Sequence, residues 1–201
     1  MRKFISALAV IGLFAFAVNA EELPYESFFS KKQNLDKDGT EIYTSNYHMK
    51  QNKKFGAGIA AGGANGVLGV TSEFNLDPSL ALSIGLGTGP SYGTFNVLGK
   101  YSLEAMYLSP YVKAGYSRWF NSGTMKTSAT SSDILRQVFS ERDLKSGKFD
   151  ANFVVASIGA EYNQLEGELS GVNFFGEVTA MLEVQKVKVI PTGSVGIIYF
   201  Y

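Results

Sequence analysis

The stretch Gly193-Ser194-Val195-Gly196-Ile197-Ile198-Tyr199-Phe200-Tyr201 constrains the fold more than any other. Val195, Ile197, Tyr199 and Tyr201 stand at alternate positions and make one large apolar face. Ser194, Gly196, Ile198 and Phe200 make the other. A period of two belongs to a β-strand, whose successive side chains point to opposite sides of the sheet. Any sheet that includes this strand must accept an aliphatic and aromatic row along its whole length.

The other end of the chain reads as a secretory leader over residues 1–20. Arg2 and Lys3 precede an apolar run over residues 4–18, and Val18-Asn19-Ala20 offers small residues for cleavage before Glu21. The run is short for a spanning helix. After Ala20 no apolar stretch is long enough to cross a bilayer as a helix, so a membrane-integral mature chain must cross as strands. Without Arg2 and Lys3, the 18 basic residues fall to 16 against 18 acidic ones, a net charge of −2. That balance argues against a nucleic-acid partner. With no cysteine and a single histidine, disulfides and zinc sites of the Cys/His type are excluded.

Residues 21–52 are polar and lack a sustained period, and are read as an N-terminal extension. Within it Tyr43, Tyr47 and Met49 predict a weak strand over 41–50. From Phe55 onward the period of two dominates. It predicts strands at about 53–63, 67–76, 80–89, 94–103, 110–120, 149–163 and 172–184, with the terminal strand as the eighth. Ala64-Asn65-Gly66 reads as a tight hairpin and Asp77-Pro78-Ser79 as a turn preset by proline. The long connection spans residues 121–148.

The faces decide between a soluble and a membrane barrel. Between Phe55 and Gly99 the charged residues are Glu73 and Asp77, and the less apolar face is Gly, Ala, Ser, Thr and Asn. Such a face is a poor exterior for a soluble protein but suits a narrow, water-touched lumen. The large apolar side chains are therefore expected to face lipid. Phe74, Tyr101, Tyr111, Tyr162, Phe174 and Tyr201 fall near one set of strand ends, and Tyr92, Phe95, Trp119, Phe120 and Phe149 near the other. Two interfacial belts are expected from that segregation. An even strand count puts both termini on one side, expected to be periplasmic, and the long connection on the other.

At this point the chain resembles the small eight-stranded outer-membrane barrels of the OmpA-barrel and OmpX kind. The resemblance covers residues 53–201 and rests on the leader, the alternation, the strand parity and the terminal aromatic. It implies an all-β, closed antiparallel transmembrane barrel in a Gram-negative outer membrane, in contact with lipid and lipopolysaccharide. It also implies passage through the barrel assembly machinery, with Val195, Ile197, Tyr199 and Tyr201 as the C-terminal assembly signal. A monomer is expected, with no cofactor. Members of that group are tethers, adhesins, narrow or gated pores and a few lipid-modifying enzymes. The expected role is a structural or interaction scaffold that displays one large loop, and the alternative is a narrow or gated pore for small solutes or ions.

An enzyme is not expected. Barrel hydrolases use a His as general base, and His48 stands ahead of the barrel, away from any rim serine. Asn34-Leu35-Asp36-Lys37-Asp38-Gly39 resembles the first half of an EF-hand loop, but the twelfth position is Ser45 in place of a bidentate Glu. A solvated turn is the expectation there, with no metal. In the long connection Ile134, Leu135, Val138 and Phe139 recur at helical spacing. They predict a short amphipathic helix, either a lid over the barrel mouth or a contact surface. Finally, Glu73, Lys100, Lys113, Glu161 and Glu177 all fall on the inward face in this register. They are expected to form a paired lumen network, because an unpaired buried charge costs several kcal/mol.

Overall fold

The computed structural model describes residues 35, 39, 41–121, 133–140, 144 and 150–201. Eight antiparallel strands run in sequence order round a closed barrel: β1 (Phe55–Gly62), β2 (Leu68–Asn75), β3 (Leu80–Gly89), β4 (Tyr92–Ser102), β5 (Leu108–Asn121), β6 (Asp150–Asn163), β7 (Val172–Glu183) and β8 (Lys188–Phe200). Among the described residues two helices accompany it, α1 (Asn46–Asn52) and α2 (Asp133–Val138).

The pairing register fixes the shape. Directly opposed residues run from Arg118 on β5 through Phe95, Leu86, Val70, Ile59, Ile197, Phe174 and Tyr162, and return to β5 at Leu108. One circuit is thus staggered by ten residues, 118 against 108. With eight strands about 4.8 Å apart and about 3.3 Å per residue, that stagger tilts the strands by about 40° and gives a backbone cylinder about 8 Å in radius. Such a barrel has room for side chains and little else.

The faces are sorted as the alternation requires. Ile158, Val178 and Val195 are 66 %, 66 % and 63 % exposed on the outside. An exposed aliphatic band of this kind is the lipid-facing surface of a transmembrane barrel. At the end where β1 begins and β8 finishes, Phe55 packs on Phe74 at 5.1 Å and stacks on Tyr201 at 6.1 Å, and Tyr199 meets Tyr201 edge-on at 4.8 Å. Tyr107 and Tyr162 stack at 6.2 Å farther round. Phe95 and Phe120 are exposed at the opposite end.

Three sequence expectations need correction. Tyr92, Tyr111 and Trp119 do not join the outer belts: each is buried inside. Their parity with Thr94, Lys113 and Ser117 decides the side, and nearness to a strand end does not. Phe149 lies outside the described residues. The weak strand over 41–50 is not formed; α1 occupies residues 46–52, with the Ser45 hydroxyl accepting from the His48 N–H at 3.3 Å as its N-cap. The β1–β2 connection is no simple hairpin but a 3-10 turn, Gly63–Asn65, folded into the barrel mouth. Gly62, Gly63 and Gly66 hold positive φ there (86°, 57° and 75°), and Gly87 admits the turn because a Cβ would lie 1.9 Å from the Asn65 carbonyl oxygen.

Candidate functional site in the barrel lumen

At the α1 end, inward positions of β2, β4 and β6 bring Glu73, Lys100 and Glu161 together. They are 0 %, 1 % and 0 % exposed. Lys100 Nζ donates to Glu73 Oε1 at 2.8 Å and Oε2 at 3.1 Å, and also to Glu161 Oε2. The remaining oxygen, Glu161 Oε1, accepts from Lys50 Nζ at 2.6 Å. Lys50 Nζ donates in addition to Ser102 Oγ at 3.0 Å. Lys50 comes from α1, not from the wall, and is 1 % exposed.

Lys113 and Glu177 form a separate pair, Nζ to Oε2 at 3.2 Å. Glu177 also accepts from Tyr111 Oη at 2.8 Å and from Ser194 Oγ at 2.8 Å. Tyr111 stands between the two groups: its ring lies 4.7 Å from Lys100 Nζ and 5.0 Å from Lys113 Nζ. The five inward charges therefore make two clusters. Lys100 bridges Glu73 and Glu161, while Lys113 pairs with Glu177.

Two members of the site were not singled out from sequence. Tyr111 carries a signal, since it precedes Lys113 by two on the same strand face. Lys50 carries none in the strand pattern. Only the capping serine three residues before His48 marks the start of its helix.

α1 sits against the lumen opening through polar contacts. Asn46 donates from Nδ2 to Leu103 O at 3.0 Å and Ser109 Oγ at 2.8 Å, and its Oδ1 accepts from the Ala105 N–H at 2.9 Å. Tyr47 Oη donates to Ser102 O at 2.7 Å. Met49 is buried in a cluster with Tyr43, Tyr111, Leu165, Phe175, Ile198 and Phe200. Tyr43 lies just outside the wall, where burial first and the Glu41 carboxylate second push its phenol up to about 12. Glu41 in turn pairs with Lys53 at 2.8 Å.

The opposite end is closed by different chemistry. Tyr92 stacks on Trp119 at 4.9 Å, Trp119 meets Phe153 edge-on at 5.8 Å, and Leu135 and Val138 of α2 are buried with them. The helix predicted from Ile134, Leu135, Val138 and Phe139 is thus α2, lying with its apolar side against the barrel interior. Lys188 Nζ donates to Gln137 O at 3.0 Å and Lys186 Nζ to Val138 O, satisfying carbonyls at the C-terminus of α2. Between the two ends, Asn96 holds Asn65 of the inward turn at 2.9 Å, and Ser157 faces Thr179 at 2.8 Å.

Of the residues expected as an assembly signal, Val195, Ile197 and Tyr199 lie on β8 and Tyr201 just past its end, with Val195, Tyr199 and Tyr201 exposed. His48 contacts Thr44 Oγ1 at 3.2 Å. Ser45, the twelfth position of the EF-hand-like stretch, spends its hydroxyl on the α1 cap and on Glu104 Oε1 at 3.0 Å. The acidic residues of that stretch lie outside the described residues.

No family model and no curated protein matches the sequence. Among solved structures, the chain is similar to the N-terminal β-barrel domain of Pseudomonas aeruginosa OprF, with a TM-score of 0.50 at 14 % identity, over 74 % of this chain and 98 % of that domain. The likeness extends to the fold: a closed eight-stranded antiparallel barrel of the outer-membrane type.

Proposed function

We propose that this chain is an integral outer-membrane barrel with a closed lumen, acting as a structural or interaction scaffold and not as an enzyme or an open channel. The observation that carries this is the fully buried Glu73–Lys100–Glu161 network, sealed on one side by α1. Ions crossing the barrel would have to separate charges that are 1 % exposed or less, at a cost of several kcal/mol. In this reading the α1 end is periplasmic and the α2 end outside, where residues 121–148 meet lipopolysaccharide or a surface partner. The chain acts as a monomer and reaches the membrane through the barrel assembly machinery.

A gated pore is the second reading, and one observation favours it. Both closures come from segments laid into the lumen, α1 and α2, while the wall between them presents Ser83, Thr71, Ser157, Thr179 and Gly85. Single-channel recording of the refolded barrel in planar bilayers, with and without residues 121–148, separates the two. The scaffold reading expects no steady conductance from either form. A large, stable conductance of the intact chain would overturn it. For the orientation, protease added to intact cells is expected to cut within 121–148 and to spare Asp77-Pro78-Ser79; the reverse pattern would invert the barrel.

A further inference from the structure

In the α1 half of the lumen the wall does not balance its own charge. It contributes the cations Lys100 and Lys113 and the carboxylates Glu73, Glu161 and Glu177. Lys113 is matched by Glu177, so Lys100 faces two carboxylates alone. The surplus is removed by Lys50 of α1. Nearby Lys53 leaves the balance unchanged, since it pairs with Glu41 at 2.8 Å and donates to Ser170 O at 3.1 Å.

We infer that the wall carries a built-in site for a primary ammonium or a small monovalent cation, formed by Glu161 Oε1 and Ser102 Oγ, and that Lys50 is its intramolecular occupant on a removable plug. The seat is specific in shape as well as charge. One carboxylate oxygen lies at 2.6 Å and one hydroxyl at 3.0 Å from the occupying nitrogen, and the other Glu161 oxygen is held by Lys100. The seat itself is inside the barrel, with Ser102 1 % and Glu161 0 % exposed. The plug is separable because, among the described residues, α1 shares no ladder hydrogen bonds with the sheet. It is held by the Asn46 backbone N–H on Ala105 O at 3.0 Å, by the Asn46 and Tyr47 side chains on strand ends and connections, by the burial of Met49, and by Lys50 itself. Withdrawal of α1 leaves the eight-stranded ring intact and the lumen with one unmatched negative charge, which attracts cations and repels anions.

This inference deepens the gated-pore reading, and its test is separable from the scaffold test because it rests on variants. Lys50→Ala is recorded in planar bilayers under a potassium chloride gradient in a barrel that also lacks residues 121–148, since α2 otherwise closes the opposite end, with heat-modifiable gel migration as the check on folding. Openings are expected that favour potassium over chloride by roughly tenfold or more, as one buried charge would impose. Butylammonium is expected to close them and butyrate to leave them open. In Lys50→Ala/Glu161→Gln both the cation preference and the block are expected to vanish. A folded Lys50→Ala barrel as silent as the same deletion with Lys50 in place, openings without cation preference, or a block that survives Glu161→Gln would each overturn the site.

A second readout keeps Lys50 in place. Ser102→Cys sets a thiol beside its ammonium in a chain that has no other cysteine. In the folded barrel an ammonium-bearing methanethiosulfonate is expected to react about tenfold faster than its sulfonate-bearing counterpart. Equal rates, or a thiol that reacts only after unfolding, would show that α1 does not leave a negatively charged seat.

Discussion

Replacing Lys100 by Met tests the lumen network most directly, because its effect follows from a charge count. Glu73 has both its oxygens on Lys100, at 2.8 and 3.1 Å, whereas Glu161 keeps Lys50 at 2.6 Å when Lys100 is gone. The substitution therefore strands one carboxylate at 0 % exposure. Removing one partner of a buried ion pair typically costs about 3–5 kcal/mol. With a urea slope of about 2 kcal/mol per molar, the unfolding midpoint is expected to fall by roughly 2 M. Trp119, the chain's sole tryptophan and 1 % exposed, reports the transition by fluorescence. Lys100→Met/Glu73→Gln leaves Lys50 and Glu161 as a complete pair, and is expected to recover at least half of the loss, since a neutral replacement of a whole buried pair is often tolerated. A single variant within about 1 kcal/mol of wild type would mean that water screens the network, well below the buried-pair cost. A double variant as unstable as the single one would mean that lost packing, and not the stranded carboxylate, sets the cost.

Three other outcomes follow from the same geometry. Deleting Tyr199-Phe200-Tyr201 unpairs Gly56 and Ala57 of β1 and removes Phe200 from the α1-end cluster, so outer-membrane insertion is expected to fail in a fractionation assay; normal insertion would contradict it. Tyr43, with its phenol raised to about 12 against an ordinary 10.0, loses its contribution as pH rises through that interval and keeps it below 10, so the barrel's stability is expected to fall from pH 10 to pH 12 less steeply in Tyr43→Phe than in wild type. Gly87→Ala drives a methyl into the inward turn and is expected to destabilise the barrel by about 1–3 kcal/mol in urea, whereas Gly99→Ala, whose Cβ meets nothing nearer than 3.8 Å, is expected to stay within about 0.5 kcal/mol.

The wall was legible in the sequence because a barrel strand repeats one simple rule. β3 spans Leu80–Gly89, as its alternation predicts, and the other strands shift at their ends by a few residues. The inward parity of Glu73, Lys100, Lys113, Glu161 and Glu177 could be read by the same counting, but their partition into two clusters could not. Which lysine reaches which carboxylate depends on stagger, and the ten-residue offset is a property of the closed sheet. The insertions were harder still. Seven residues of α1 are too few to show a 3.6-residue period, and Tyr43, Tyr47 and Met49 happen to mimic a strand. The tuck of Gly63–Asn65 depends on space left by Gly85 and Gly87 two strands away, which no local pattern displays. α2 was readable because its apolar residues are spaced for a helix, while the surface it covers was not.

The two ends of the lumen differ for a physical reason. At the α2 end Tyr92, Trp119, Phe153, Met181 and Ile190 narrow the cross-section with apolar volume, and Leu135 and Val138 close it by burial, with Lys186 and Lys188 on the last carbonyls of α2. Such a closure is non-directional and has no preference among ligands. At the α1 end Glu161, Ser102, Asn75, Asn163 and Asn173 line the lumen, and each must be satisfied or pay for desolvation. Asn75, Asn163 and Asn173 have partners of their own in Lys53 O, Tyr107 O and each other, whereas Met49 alone would leave Glu161 Oε1 without a cation; a lysine from outside the wall satisfies Glu161 and Ser102 together. A helix that closes a polar opening must therefore carry the complementary charge, and that requirement gives the closure a chemical identity. The apolar end can be opened only by pulling α2 away. The polar end can in addition be opened by exchange, since another cation can satisfy the carboxylate that Lys50 leaves.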